Sequence, residues 1–392
     1  MNLESRPFIS VVMPVFNGAA TIGPALDSLL VQDYPQDRYE VIVVNDGSSD
    51  DTAKVVTERE KMRYVELPRN MGIPSALNAG LEAARGEIFA TFDDDCQAAP
   101  DYLTQLALGY LRLDKPLGVG GVIVKRASDK VVGLAANYVE AITGGNRRID
   151  ETGPVFLPPV MQRFYAYIAI NYTSRVKEPP GEYPEVVELY GNNASFDIGK
   201  LRQVGGWDTS MSAPAVGGIE DRDVCFRLRQ RFPDHHFYTA RPAHLILDQD
   251  PNDSAASLKT HLLRPYRRGP FNYAFHVKNG LVPPLFPFPL LVLCILLAYS
   301  AVVAVLHPLL LVLLPVLLVL LPQVCYGWWI KRALVERRTV YLLFPYIQGA
   351  EETMVLVGLL RGYRRFGKMV RGTPTIAEVA SDQAQRTDSV LG

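Results

Sequence analysis

Short apolar runs alternate with amphipathic stretches from the start of this chain. Ile9–Val15 reads as a buried strand and closes on Pro14-Val15-Phe16-Asn17-Gly18, a turn signal. Thr21 is placed to cap a helix whose apolar face is Ile22, Leu26, Leu29 and Leu30. Tyr39–Asn45 predicts a second strand, broken by Asp46-Gly47-Ser48-Ser49-Asp50. A helix from about Asp51, a strand at Arg63–Leu67, a helix over Ser75–Ala84 and a strand at Glu87–Phe92 follow. Strand-helix alternation with near-continuous apolar strands predicts an α/β fold built on a mostly parallel sheet flanked by helices.

The pattern changes twice further on. After Leu117 it is irregular, with Pro-rich stretches at Val155–Pro159 and Glu178–Pro184, and reads as the acceptor-side half of one domain spanning residues 1–250. Residues 251–284 form a basic and aromatic linker to a membrane surface. Leu285–Leu321 carries no charged residue and is divided by His307-Pro308. At roughly 20 residues per crossing, it predicts two transmembrane helices within 285–330, Leu285–Leu306 and Leu309–Ile330. Tyr341–Leu360 holds Glu351 and Glu352 at mid-segment, which points to an interfacial helix within a basic-flanked region, 331–371, rather than a third span. Residues 372–392 read as a disordered tail.

Composition narrows the class. Forty Lys and Arg against 41 Asp and Glu leave a formal net charge of −1, which gives no footing for nucleic acid. The basic clusters Arg264–Arg268, Lys331–Arg338 and Arg361–Arg371 flank apolar segments instead. By the positive-inside rule, they place both ends of the hairpin on the cytosolic side. The expected location is therefore the cell (inner) membrane, multi-pass, with a cytoplasmic catalytic domain. Four scattered cysteines without metal-ligand spacing fit a reducing compartment.

Three polar clusters lie at the predicted carboxyl ends of strands: Phe16-Asn17, Asp46-Gly47 and Asp93-Asp94-Asp95. Ligands of open α/β sheets bind beyond that edge. Adjacent carboxylates at a buried strand end repel unless a cation offsets them, and Mg²⁺ or Mn²⁺ held with substrate phosphate oxygens resolves the repulsion. Asp46 suits the donors of a base or ribose, and Asn70 and Gly72 suit close backbone approach to a nucleotide.

Read in order, Pro14-Val15-Phe16-Asn17, Val44-Asn45-Asp46-Gly47-Ser48-Ser49-Asp50, Asn70-Met71-Gly72 and Phe92-Asp93-Asp94-Asp95 resemble the successive signatures of family 2 glycosyltransferases with the GT-A fold. Gly191-Asn192-Asn193-Ala194-Ser195-Phe196, Gly205-Gly206-Trp207-Asp208 and Glu220-Asp221 continue the likeness, which covers about residues 8–270. The resemblance implies a Rossmann-like catalytic domain that transfers a sugar from a UDP-, GDP- or dTDP-linked donor with inversion. It makes Asp221 the catalytic base and Asp95 a metal ligand, with His244, which follows a Pro-Ala pair and precedes an apolar Leu-Ile-Leu run, as the candidate that completes the metal site. It puts Pro14, Phe16, Asn17, Asp46, Asn70, Gly72, Asp93 and Asp94 at the nucleotide-sugar. Asn192, Asn193, Trp207, Asp208, Glu220 and Arg264 fall on the acceptor or sugar side. The expected acceptor is a lipid or lipid-linked glycan, in cell-envelope or extracellular glycan synthesis.

One departure bears on product. Polymerising members carry Gln-x-x-Arg-Trp after the base, where this chain reads His261-Leu262-Leu263-Arg264-Pro265. Single-sugar transfer is the expectation, and processive polysaccharide synthesis is the alternative. Outside the family, a nucleotidyltransferase lacks its basic loop, since Pro14–Ala20 contains no Lys or Arg. An inactive membrane scaffold is opposed by the intact set Asp46, Asp93, Asp95 and Asp221.

Overall fold

The computed structural model describes residues 6–125, 181–186, 188–189, 191–211, 219–247, 258–279, 298–299, 301–302, 320, 322–323 and 327–366. Four parallel strands open the fold: β1 (Ile9–Val15), β2 (Tyr39–Asn45), β3 (Met62–Glu66) and β4 (Ile88–Thr91). They are linked by α1 (Ile22–Leu30), α2 (Thr52–Thr57) and α3 (Ile73–Ala83). After β5 (Cys96–Ala98) and α4 (Tyr102–Arg112) come β6 (Pro116–Lys125), β7 (Glu185–Val186), β8 (Ala194–Asp197) and β9 (His236–Leu247). The strand order is β3-β2-β1-β4-β8-β6-β9-β5, with β7 also on β9.

Burial explains why the central strands read as unbroken apolar runs. All seven residues of β2 are buried. In β1, Ile9, Val11, Met13 and Val15 pack on one face with Leu26 and Leu29 of α1 and Leu103 and Leu106 of α4. Val12 points to the other face, with Leu77 of α3, Phe196 and Trp207. A sheet covered on both sides has no polar face to show as alternation. Pro14 survives inside β1 because its imide side faces β4, which has already ended at Thr91 opposite Val12.

The sheet is mixed rather than mostly parallel. β8 runs antiparallel to both β4 and β6, while β5 and β7 run antiparallel to β9. The reversal is invisible to a reading based on strand-helix alternation, since β8 follows a long irregular stretch. Its effect is specific. Antiparallel pairing of Ala90 with Ser195 brings the residues preceding β8, Gly191–Asn193, to the edge where β4 delivers Asp93–Asp95. Thr91 fixes this junction: its hydroxyl donates to Ala194 O (2.9 Å) and accepts from Ala194 N (3.1 Å).

Two helices follow β8: α5 (Ile198–Gln203), capped by Asp197 through Lys200 N, and α6 (Glu220–Arg231). The predicted linker contains α7 (Leu258–Lys278), and beyond it lie α8 (Trp328–Glu336), a 3₁₀ turn at Thr339–Leu343 and α9 (Phe344–Phe366). α9 packs on α7. Its inner side buries Ile347, Gln348, Glu351, Val355 and Leu359, so Glu351 lies inside a protein contact. Trp329 of α8 closes that unit, donating from Nε1 to Gln348 Oε1 at 3.0 Å and meeting Phe344 edge to face. Among the described residues no helix is long and apolar enough to cross a membrane. The two predicted spans and the tail fall largely or wholly outside the described residues.

Candidate active site

The crevice begins where β1 and β2 end. Asn17 adopts a left-handed backbone (φ 54°), which an Asn tolerates better than most residues. This turns its side chain so that Oδ1 accepts from Ser49 N (2.9 Å), while Asn17 N donates to Ser48 Oγ (2.8 Å). Gly18 N donates to Thr52 Oγ1 and Ala19 N to Asp50 Oδ2. The two loops are thus stitched together. Phe16 is left 45 % exposed above them, an unusual position for a phenyl ring unless something stacks on it.

Asp46 is buried, and both its oxygens already accept backbone bonds, from Met71 N (2.7 Å) and Gly72 N (2.8 Å). Burial nevertheless keeps its pKa above the ordinary carboxylate value. A carboxylate has lone pairs to spare beyond two bonds. Its first task here is to hold the Asn70–Gly72 loop against the end of β2. Asn70 supports the same turn by accepting from Gly72 N. Met71 and Ile73 stand exposed beside it.

At the end of β4 the three aspartates separate in role. Asp94 turns back to the first loop, where Thr21 Oγ1 donates to Oδ2 at 3.0 Å. Thr21 therefore does not cap α1 as the sequence suggested; its hydroxyl serves Asp94 and Gly18 O. Asp93 faces inward, and its pKa is pushed up to about 7, first by burial and then by the charges of Asp95, Asp94 and Glu220. Asp95 accepts a long bond from the buried Cys96 thiol.

Asp221 and Glu220 open α6 on the opposite wall. Acidic side chains favour a helix's first turn through its dipole, yet these two are held by more than that. Gly191 N donates to Asp221 Oδ2 at 2.9 Å, and a methyl at position 191 would fall 2.4 Å from Asp221 Oδ1. Only glycine admits the carboxylate there. Asp221 is tightly surrounded but still touched by solvent, and its pKa is raised by burial, with Glu220 and Asp93 adding repulsion. Asp223, two residues further along α6, is fully buried and paired with Arg227 (2.6 Å), which also bonds Val204 O and Gly206 O.

Several predicted residues land elsewhere. Trp207 is 2 % exposed and packs between Phe89 and Phe196 (ring centroids 5.1 and 5.9 Å), so it is a core residue and cannot stack on a sugar. Asp208 accepts from Ser210 and pairs with Lys278 of α7; burial would raise its pKa, but these bonds hold it below the ordinary value. Asn193 Oδ1 accepts from Tyr102 OH (2.8 Å) and Gly121 N (3.1 Å), leaving a buried Nδ2 with no partner among the described residues. His244 stands exposed on β9 with its carbonyl bonded by Ala99 N. Register puts Leu247, not His244, opposite Cys96, so His244 lies several residues along the strands from Asp95. The Asn192 and Arg264 side chains lie outside the described residues.

One functional candidate escaped the sequence reading. Arg268 of α7 lies close enough for its charge to lower the pKa of Asp221. The only signal was its membership of the Arg264–Arg268 cluster.

Whether the acidic edge suits a divalent cation is a question of donor chemistry. Among the described residues no three Asp, Glu, His or Cys side chains converge to hold a metal by themselves. Mg²⁺ commonly takes one or two carboxylates and completes its shell with water and substrate phosphate. Asp93 and Asp95, mutually repelling at a strand end, fit that mode.

Residues 10–158 match the family described as Glycosyl transferase family 2. The dodecaprenyl-phosphate galacturonate synthase of Rhizobium johnstonii is 34% identical over 151 residues, 35% of this chain and 43% of that protein. The probable glycosyltransferase YdaM of Bacillus subtilis is 25% identical over 257 residues, 64% of this chain and 52% of its own length. The chain thus spans about half the length of these curated relatives. Among solved structures, the mannosyltransferase PcManGT from Pyrobaculum calidifontis, in complex with GDP-Man and Mn2+, superposes with a TM-score of 0.53 at 19% identity. That match covers 92% of this chain and 88% of the other, and it establishes the likeness of fold.

Proposed function

We propose that this chain, which carries a glycosyl transferase family 2 domain in its N-terminal part, transfers a sugar with inversion from a nucleotide-sugar to a hydroxyl of a lipid or lipid-linked glycan at the cytosolic membrane face. The observation that carries the reading is Asp221, seated at the start of α6 by the Gly191 amide and facing the acidic end of β4 across one crevice. A raised carboxylate pKa suits a general base, because proton affinity near the working pH favours transfer.

Each residue then has a chemical task. Phe16 offers a ring for the base, and the stitched 16–20 and 46–52 loops hold its surroundings. Asp46 keeps the 70–72 backbone in place for the nucleoside. Asp221 takes the proton of the acceptor O–H as that oxygen bonds to the anomeric carbon. The bond from that carbon to the diphosphate oxygen breaks, and its electron pair leaves with the nucleoside diphosphate. Asp93 and Asp95 would hold Mg²⁺ or Mn²⁺, which when bound supplies positive charge for the departing diphosphate.

The membrane assignment draws support from two features. The uncharged run Leu285–Leu321 follows α7 directly in sequence. In the described C-terminal unit, Leu334 and Val335 are 75 % and 73 % exposed beside Lys331, Arg337 and Arg338, a composition suited to an anionic lipid surface. Similarity to the Rhizobium dodecaprenyl-phosphate galacturonate synthase favours a lipid acceptor.

The test is nucleotide release by the purified full-length protein from UDP-, GDP- and dTDP-sugars with lipid extract, with Mg²⁺ or Mn²⁺ and with EDTA. Release from one donor, dependent on metal and lost in Asp95→Ala and Asp221→Ala, is expected. No turnover and no nucleotide binding with any donor would overturn the proposal.

A further inference from the structure

Helix α7 meets the catalytic domain at the start of α6 and at the 208–211 turn before it. Phe271, Ala274 and Phe275 bury against Ile219 and Met211, and Phe226 meets Phe275 edge to face at 5.4 Å. Arg222, the neighbour of Asp221, reaches Asn272 Oδ1 at 3.4 Å. Asn272 in turn bonds back to Arg268 O, one helical turn earlier. Positions 268, 271, 272 and 275 fall on one helix face. The contact therefore presents Arg268 on the same side as the Glu220-Asp221 turn.

The helix is also held from behind. A methyl at Gly269 would meet the Gly358 backbone at 2.4 Å, and one at Gly362 would meet Tyr273 Cβ at 2.5 Å. The backbones of α7 and α9 thus touch through glycine, and the Arg361 guanidinium lies over the Tyr266 ring at 4.1 Å. A helix gripped on two faces holds its arginines in fixed positions.

Arg268 itself is incompletely satisfied. Its Nε is buried and has no hydrogen-bond partner among the described residues. A buried guanidinium N–H left unpaired is costly, and native structures seldom leave one without a reason. The carboxylate its charge reaches, Asp221, is already engaged by the Gly191 amide. What fits a guanidinium N–H without a partner, beside the acidic start of α6, is a planar or tetrahedral oxyanion that can accept two parallel bonds.

We propose that Arg268 is an anion-binding residue of this site, taking the oxygens of a phosphate or diphosphate group that enters between α7 and the start of α6. This rests on the glycosyl-transfer reading for its choice of ligand. The phosphate belongs either to the donor's diphosphate or to a lipid-phosphate acceptor, and in both cases a fixed cation draws the group toward Asp221 and offsets the repulsion of the carboxylates.

The experiment is isothermal titration of the full-length protein in detergent with inorganic pyrophosphate in the presence of Mg²⁺. Wild type is compared with Arg268→Ala and with Arg268→Gln, which keeps most of the bulk and a donor while losing the charge. Both variants should weaken pyrophosphate binding by about tenfold or more. If nucleoside diphosphate binding weakens in parallel, the donor supplies the phosphate. If nucleoside diphosphate binding holds while KM for a polyprenyl phosphate rises, the acceptor does. Unchanged binding and unchanged KM in a folded Arg268→Gln protein would overturn the assignment. Pyrophosphate titration needs no turnover, so a wild type inactive with every sugar donor yet showing Arg268-dependent binding would sink glycosyl transfer and leave the anion site standing.

Discussion

Gly191→Ala is the sharpest perturbation this site allows. The added methyl carbon would lie 2.4 Å from Asp221 Oδ1, 2.6 Å from Oδ2 and 2.7 Å from Cγ. Ordinary contact for such a carbon begins near 3.4 Å, so the carboxylate must retreat by about 1 Å. Gly191 is not in the left-handed region, so alanine brings no backbone strain of its own. The effect is therefore confined to Asp221 and its bond to Gly191 N. Overpacking of this kind costs about 1–3 kcal/mol of stability, whereas a 1 Å misplacement of a catalytic group costs about 10²-fold in rate. The expected variant is folded, with a Tm a few degrees lower, nucleotide affinity within about twofold and kcat reduced about 100-fold. Steady-state nucleotide release, with a thermal melt on the same sample, measures all three. A kcat within threefold of wild type in a folded protein would refute Asp221 as the base held by this amide.

Further outcomes follow from other contacts. Asp46→Ala removes the acceptor for two loop amides and should weaken nucleotide binding about tenfold, with a stability loss of about 2 kcal/mol; titration calorimetry and urea melts check both. Glu40 binds Ser10, Arg63 and Arg85 at the far end of the sheet. Glu40→Ala should therefore cost about 2 kcal/mol, moderated because Arg85 is largely exposed, and leave kcat unchanged. Trp207→Phe should lower stability without raising the acceptor KM, since the ring is buried in the core against Phe89 and Phe196. The metal-free protein should lose stability as pH rises from about 4 to about 7. Asp93 holds its proton up to about 7 in the fold, whereas an unfolded Asp releases it near 3.9, so the folded state binds more protons across that window. Melts at pH 5 and pH 8 test this, and added Mg²⁺ should reduce the difference.

How much of this was legible in the sequence differs by element. β1, β2 and β4 declared themselves because strands buried on both faces are almost wholly apolar, and the polar residues ending them had no other place to go. The convergence of Asp46 and Asp93 on one edge followed from that alone. Asp221 depended on family resemblance, because a charged helix start looks the same whether it is catalytic or merely favoured by the dipole. Trp207 misled, and the burial of Asp223 went unannounced, for related reasons. An aromatic beside a Gly-Gly pair and an acid in a first helical turn both look surface-exposed until tertiary packing closes over them. Periodicity also could not report that β8 reverses, since strand direction is set by partners rather than by local pattern.

That reversal has a mechanical consequence. Within the sheet, β1–β4 join the half that bears Asp221 through three residue pairs of β4 and β8, Ile88 with Asp197, Phe89 with Phe196 and Ala90 with Ser195. The Thr91 hydroxyl, bonded to Ala194 in both directions, acts as its locking pin. Slippage by one pair would turn Phe196 to the wrong face, and slippage by two would carry Gly191 about 7 Å along the strand, away from Asp93. The gap across which a sugar would change hands is therefore gauged by strand register, far more rigidly than any pair of loops could set it.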